Sequence, residues 1–139
     1  MSPAARGTVP RACWTLLDAN FNRVREGLRV CEDLERFGVR AQARASRLRS
    51  IRHTVTGVLK ELPRKALLGG RDISKDGGRA PHRHEKVRAD TSDIYFANLQ
   101  RVKESLRVLE EVLKLVDAGL SVRIKRLRFE VYDYEKSKA

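Results

Sequence analysis

Apolar residues recur along this chain with the period of a helix. Leu17, Phe21, Val24, Leu28 and Cys31 follow a 4-3-4-3 spacing, which sets them on one stripe facing a core. Tyr95, Leu99, Val102, Leu106 and Leu109 repeat that spacing. Leu48, Ile51, Val55, Val58 and Leu62 make a further stripe, and Leu120, Leu127, Val131 and Tyr134 another. The pattern predicts four main helices, near 12–37, 43–62, 88–116 and 119–137. Pro63 is expected to end the second, because its ring cannot continue a helix. Ser92 or Asp90 suits the cap of the third, and Gly119 the turn before the fourth.

The polar positions carry a second pattern. "ANFNRVREGLRVCEDL" (19–34) returns 78 residues later as "ANLQRVKESLRVLEEV" (97–112), with nine of sixteen positions identical. "RLRSIRHTV" (47–55) resembles "RIKRLRFEV" (123–131) at an offset of 76. The repeating unit is therefore helix, turn, helix, with a turn two residues shorter in the second copy. Short turns make neighbouring helices antiparallel. The expected fold class is all-α: a four-helix bundle from a duplicated helical hairpin, pseudo-twofold, with a Gly-rich central loop. The 139 residues make one domain (1–139), with repeat one about 12–62, loop 63–87 and repeat two about 88–137. Two open hairpins exchanged between protomers are the alternative, and a homodimer belongs to that picture.

Composition agrees with helices: aromatic residues are 6% of the chain and charged residues 35%. The net charge of +12 attracts anions such as phosphorylated metabolites, nucleotides or nucleic acid. Nucleic acid is the weaker partner, since acidic residues alternate with the basic ones on the first and third helices and stacking aromatics are few. Cys13 and Cys31 lie eighteen residues apart, about 27 Å on one helix and too far for a disulfide. Reduced cysteines suit a cytoplasmic protein. No run is long and apolar enough to span a membrane, and "MSPAARGTVPRAC" has no apolar signal-peptide core.

A duplicated hairpin needs only its apolar stripe repeated, yet Asn20, Arg23, Glu26, Arg29 and Glu32 recur as Asn98, Arg101, Glu104, Arg107 and Glu110. At about 100° per residue, Glu26 and Glu104 point to solvent. Asn20 and Arg23 lie on one shoulder of the stripe beside Gly27, with Ser105 at the same flank of the second copy; Arg25, Arg29 and Glu32 lie on the other shoulder. Shoulders line clefts between helices. Taken singly these charges read as solvated or interhelical ion pairs. Taken as a set they read as paired anion sites.

Residues 63–87 break every pattern. "GGRDISKDGG" (69–78) is the best phosphate-cradling candidate, with backbone N–H groups freed by glycine and charge from Arg71 and Lys75. There is no Walker loop. His82 and His84 lack further zinc ligands, His53 stands alone on the outer part of the second helix, and no nucleophilic triad is evident. Carboxylates beside arginines suit Mg²⁺ and phosphate instead; Glu32, Glu110, Asp72 and Asp76 are the candidates.

"DANFNRVREGLRVCEDLERF", "RDISKDGG", "RAD", "ANLQRVKESLRVLEE" and "LRFEVYDYE", together with Arg52, resemble the helical domain fused ahead of some thiamin phosphate synthases, which also occurs alone. The likeness covers nearly all of 11–136; "RAPHRHEKV" departs from the pattern. That family is a monofunctional hydroxymethylpyrimidine phosphate kinase. The resemblance implies transfer of a phosphoryl group from ATP, with Mg²⁺, to 4-amino-5-hydroxymethyl-2-methylpyrimidine phosphate. Thiamin phosphate synthase would be the downstream enzyme. Arg23, Arg101 and Arg71 are then the expected catalytic residues. Asn20, Asn98, Arg25, Arg29, Arg107, Arg52, Arg128, Lys75, Gly77, Gly78 and Arg88 are the expected substrate-binding ones. A phosphate monoester ionises a second time near pH 6, at about the value for phosphorylated side chains, so the acceptor needs no base; it needs cations that hold two anions in line. A non-catalytic regulatory or partner-binding module is the alternative, and an all-helical mutase acting on a small dianion a further one.

Overall fold

A computed structural model describes residues 8–81 and 87–138. All regular elements among them are helical. Five α-helices run in chain order: α1 (Arg11–Asp33), α2 (Gln42–Leu59), α3 (Arg64–Gly69), α4 (Thr91–Leu113) and α5 (Ala118–Lys138). No helix among the described residues is long and apolar enough to cross a membrane.

The four long helices touch in a closed ring, α1–α2, α2–α5, α5–α4 and α4–α1. Pairings between them run in opposite directions along the chain. Glu32 meets Arg52 and Glu35 meets Arg44 between α1 and α2. Glu110 meets Arg128 and Lys103 meets Glu135 between α4 and α5. Arg47–Asp133 and Glu61–Arg123 join α2 to α5. Each neighbouring pair is thus antiparallel, as the short turns predicted. The stripes read from sequence form the core: Leu17, Val24, Leu28, Leu48, Val55, Leu99, Leu106 and Val131 are fully buried.

The α1–α4 contact is unusually close. A Cβ placed on Gly27 would lie 2.8 Å from Val102 Cγ2 and 3.1 Å from the Asn98 carbonyl oxygen. Only a residue without a side chain lets the two backbones meet there. The second copy has Ser105 at this position, small and buried.

Several boundaries differ from expectation. Lys60–Leu62 already forms a turn, so Pro63 does not stop α2; it precedes α3, where its missing N–H is harmless. Short helix α3 falls in the segment expected to be loop, because its six residues are too few for a period to show. Asp90 caps α4, its carboxylate accepting from Asp93 N at 2.8 Å. Gly119, expected in the turn before this helix, lies within α5; Asp117 caps α5, accepting from Leu120 N at 3.1 Å.

The first helix ends in a π-helical turn, Leu34–Gly38. Glu35 there occupies the next place on the apolar stripe after Cys31, and its side chain is 1% exposed. Its carboxylate accepts from Arg44 Nε at 2.5 Å, Tyr134 Oη at 2.9 Å and Lys138 Nζ at 2.8 Å. Tyr134 in turn shares a hydrogen bond with Tyr95. Burial alone would raise the Glu35 pKa, but the hydrogen bonds from Lys138, Tyr134 and Arg44 outweigh it and hold the group below the ordinary 4.5. Burial pushes the neighbouring Cys31 thiol up to about 12. Both cysteines are free, as expected.

Two stability tests follow from this packing. Gly27→Val drives a side chain into Val102 and should cost about 1–3 kcal/mol, whereas Gly57→Ala, in open space within α2, should add about 0.4–1 kcal/mol; denaturant midpoints measure both. A depressed carboxylate pKa adds stability above the unfolded value and loses it as pH falls through the folded value. Glu35→Gln should therefore be less stable than the parent at neutral pH, and the gap should narrow as pH drops below 4.5, read as thermal midpoints across a pH series.

Candidate functional site

The loop that follows α3 folds back onto α1. Arg11 donates to the Gly69 carbonyl at 2.9 Å and Thr15 Oγ1 to the Gly70 carbonyl at 2.7 Å. A Cβ on Gly70 would sit 2.8 Å from Thr15 N, so glycine is needed for this approach. The loop is then locked by a two-pronged ion pair. Arg71 Nε donates to Asp18 Oδ2 at 2.7 Å and Arg71 Nη2 to Asp18 Oδ1 at 2.6 Å. Asp18 is nearly buried while Arg71 stays half exposed. The carboxylate holds the Arg71 pKa above its ordinary value by hydrogen bonding and charge.

Two cavities flank that pair. The larger, about 810 Å³, lies between α1 and the glycine loop and is lined by Asn20, Arg23, Arg71, Lys75, Asp76 and Gly77 among others. The smaller, about 480 Å³, lies between α1, α2 and α3 and includes Arg25, Leu59, Lys60, Arg64 and Leu68. Asp18, Asn22 and Arg71 line both, so they form the wall between. In the loop, Asp72 Oδ1 accepts from Ser74 N at 3.2 Å and Asp76 Oδ1 from Gly78 N at 2.8 Å. Both aspartates shape short 3₁₀ turns on the rim of the larger cavity.

The structure gathers part of the sequence-derived set. Arg23, Arg71, Asn20, Lys75, Gly77, Asp72 and Asp76 share the larger cavity, and Arg25 reaches the smaller. The rest lie outside both. Arg101 and Asn98, the second-copy partners of Arg23 and Asn20, line neither. Asn98 donates its amide to the Ile94 carbonyl at 2.8 Å, as Asn20 does to Leu16. Arg29 pairs with Asp33 on the surface. Arg88 precedes α4, exposed. Gly78 is exposed beyond the larger cavity. His53 lies on the outer face of α2, away from both cavities, and His82 and His84 fall outside the described residues.

The four carboxylates assigned to metal are not brought together. Glu32 is held by Arg52, Nε to Oε1 at 2.8 Å, and Glu110 by Arg128 at 3.0 Å and Arg107 at 2.9 Å. Arg52 and Arg128 thereby pair across helix interfaces, and Arg107 along the surface of its own helix. Among the described residues no three His, Cys, Asp or Glu side chains form a metal cage. Sequence reasoning missed Thr15, Lys60, Arg64 and the wall role of Asp18. The signal was "PRKALL", a proline followed by an apolar turn, which reads as helix α3 once it has something to pack on.

The fold and site define an all-helical domain with adjoining anion-compatible cavities built on its first helix. A family model matches residues 15–137, and the chain belongs to the ThiD2 family. It is 38% identical over 138 residues to a thiamine-phosphate synthase of Thermosynechococcus vestitus, covering 99% of this chain and 37% of that protein. A thiamine-phosphate synthase of Synechocystis sp. is 39% identical over 127 residues, 91% of this chain and 36% of the relative. One from Rhodopirellula baltica is 34% identical over 123 residues, 88% and 33%. The chain thus spans a little over a third of the length of these relatives. No solved structure matches it.

The two kinds of ion pair should separate experimentally. Asp18→Asn should speed amide hydrogen exchange in residues 69–79 with little change in global stability. Glu32→Leu leaves the part-buried Arg52 without its partner and should cost about 1.5–3 kcal/mol globally without loosening that loop selectively. Exchange mass spectrometry with denaturant titration reads both.

Proposed function

We propose that this chain is a cytoplasmic kinase of thiamin biosynthesis, converting 4-amino-5-hydroxymethyl-2-methylpyrimidine phosphate to the diphosphate with ATP. The observation that carries this reading is the pair of cavities with one shared wall. Phosphoryl transfer needs donor and acceptor in adjoining sites with a cation at the junction, and Arg71 stands at that junction. Membership of the ThiD2 family supports it. So do relatives named for thiamine-phosphate synthesis that carry this region with a further two thirds of chain. A synthase of that kind would consume the diphosphate.

The chemistry asks for positioning more than for proton transfer. The acceptor's phosphate oxygen is ionised at neutral pH and attacks the γ-phosphorus of ATP. The new O–P bond forms as the bond from the γ-phosphorus to the β,γ-bridging oxygen breaks, and ADP leaves. Arg71 is oriented by Asp18 with part of its guanidinium free to face a phosphoryl group, and Arg23 stands on the exposed shoulder of α1. Among the described residues no three carboxylates form a cage, and Mg²⁺ would enter as the ATP complex.

A site built around a phosphate leaves cations unpaired when offered the neutral hydroxymethyl alcohol. Such a mismatch lowers kcat/KM by a factor of about 10⁴ or more. Steady-state kinetics with ATP and each acceptor should show the monophosphate turned over and the alcohol rejected. Comparable kcat/KM for the two would refute the assignment, and no ATP consumption with either would favour a non-catalytic module. Arg23→Ala and Arg71→Ala should each lower kcat/KM, whereas Arg101→Ala should leave it near the parent value.

A further inference from the structure

The internal duplication supplies a control for the smaller cavity. At the repeat offsets, Arg25 corresponds to Lys103 and Leu59 to Glu135. In the second copy these two positions are tied together: Lys103 Nζ donates to both Glu135 oxygens, at 2.9 and 3.1 Å, and the lysine is largely buried. In the first copy Glu135 is replaced by the apolar Leu59, and Arg25 makes no ion pair among the described residues. Helix α3, which follows α2 in the first copy, closes the cavity. The position that is neutralised in one hairpin is left charged, and walled by apolar side chains, in the other.

The charges of the two cavities also differ in kind. Around the larger one, Arg11, Arg23, Arg71 and Lys75 are matched by Asp18, Glu26, Asp72 and Asp76. Around the smaller one, Arg25, Lys60, Arg64 and Arg71 face Asp18 alone. A balanced lining suits a polyphosphate whose charge is already partly cancelled by a divalent cation. A cationic lining suits a free dianion. The smaller cavity adds an apolar side from Leu59 and Leu68, and its volume lies within the range of small-molecule sites, about 300–1,000 Å³.

Resting on the kinase reading above, we infer that the smaller cavity is the acceptor subsite: it takes a methylated aromatic heterocycle bearing one phosphate, the ring against Leu59 and Leu68 and the phosphate toward Arg25, Lys60 and Arg64. The larger cavity then takes the nucleotide, and the two phosphates approach across the Asp18–Arg71 wall. The acceptor's selection for a monophosphate arises from an arginine that the duplication left without a carboxylate.

Leu59→Glu tests this directly, because it writes the second copy's ion pair into the first. The pair is already accommodated by this fold at Lys103 and Glu135. Calorimetry with the pyrimidine monophosphate and, separately, with the Mg²⁺ complex of a non-hydrolysable ATP analogue reads each subsite. Leu59→Glu should abolish monophosphate binding and leave nucleotide binding within about twofold. Lys60→Ala, an exposed change that spares the core, should weaken the monophosphate by about tenfold or more, the effect of one charged hydrogen bond. Unchanged monophosphate binding in both variants, or loss of nucleotide binding instead, overturns the inference. Monophosphate binding that depends on Leu59 in a wild-type protein that consumes no ATP upholds the subsite and overturns the kinase reading.

Discussion

Helix α1 is packed against α2, α3 and α4, and it meets α4 closely at Gly27, where a Cβ would run into Val102 and the Asn98 carbonyl. Close approach at a small residue lets the flanking apolar stripes interdigitate rather than stand apart, and dense packing is what makes dispersion and burial count. The rest of the molecule inherits this placement. The α2 and α5 helices close the ring around the α1–α4 pair, and the glycine loop has a rigid helical surface to dock on. A site on rigid elements keeps its geometry better than one on loops alone.

The repeated charged residues serve two ends that sequence cannot separate. Glu32–Arg52 and Glu110–Arg128 are the same interaction made twice, each joining the two helices of its hairpin. Buried pairs of this kind add little net stability over apolar packing, but breaking one strands a charge, so they act to fix which residues face each other. Asn20 and Asn98 likewise repeat a bond to their own helix. The two cavities lie where the symmetry fails. Asp18 stands where the second copy has Phe96, and Leu59 where it has Glu135. Each of these differences falls on the two cavities.

At the opposite end of α1, Glu35 shows the same principle in the core. Its second-copy equivalent is Leu113, fully buried and apolar. The first copy instead buries a carboxylate and satisfies it with Arg44, Tyr134 and Lys138 from two other helices. A half-satisfied carboxylate there would be costly, while a fully satisfied one is specific to a single arrangement of α1, α2 and α5.

The sequence by itself determined the helical class, the hairpin repeat, the buried stripes and the anion-seeking charge, because helix periodicity and self-similarity are local and survive in one dimension. It marked Arg23, Arg25, Arg71 and Lys75, which do line the cavities, through their place on a helix shoulder or beside glycines. It put Arg52, Arg128, Glu32 and Glu110 in the same set, because an arginine that grips a carboxylate across a helix interface and one that faces a cavity look alike in a string of letters. Only the tertiary structure decided between them. Whether a cation is paired depends on what the opposing helix presents, and that is a three-dimensional neighbour tens of residues away in sequence: Glu135 for Lys103, Leu59 for Arg25, Asp18 for Arg71.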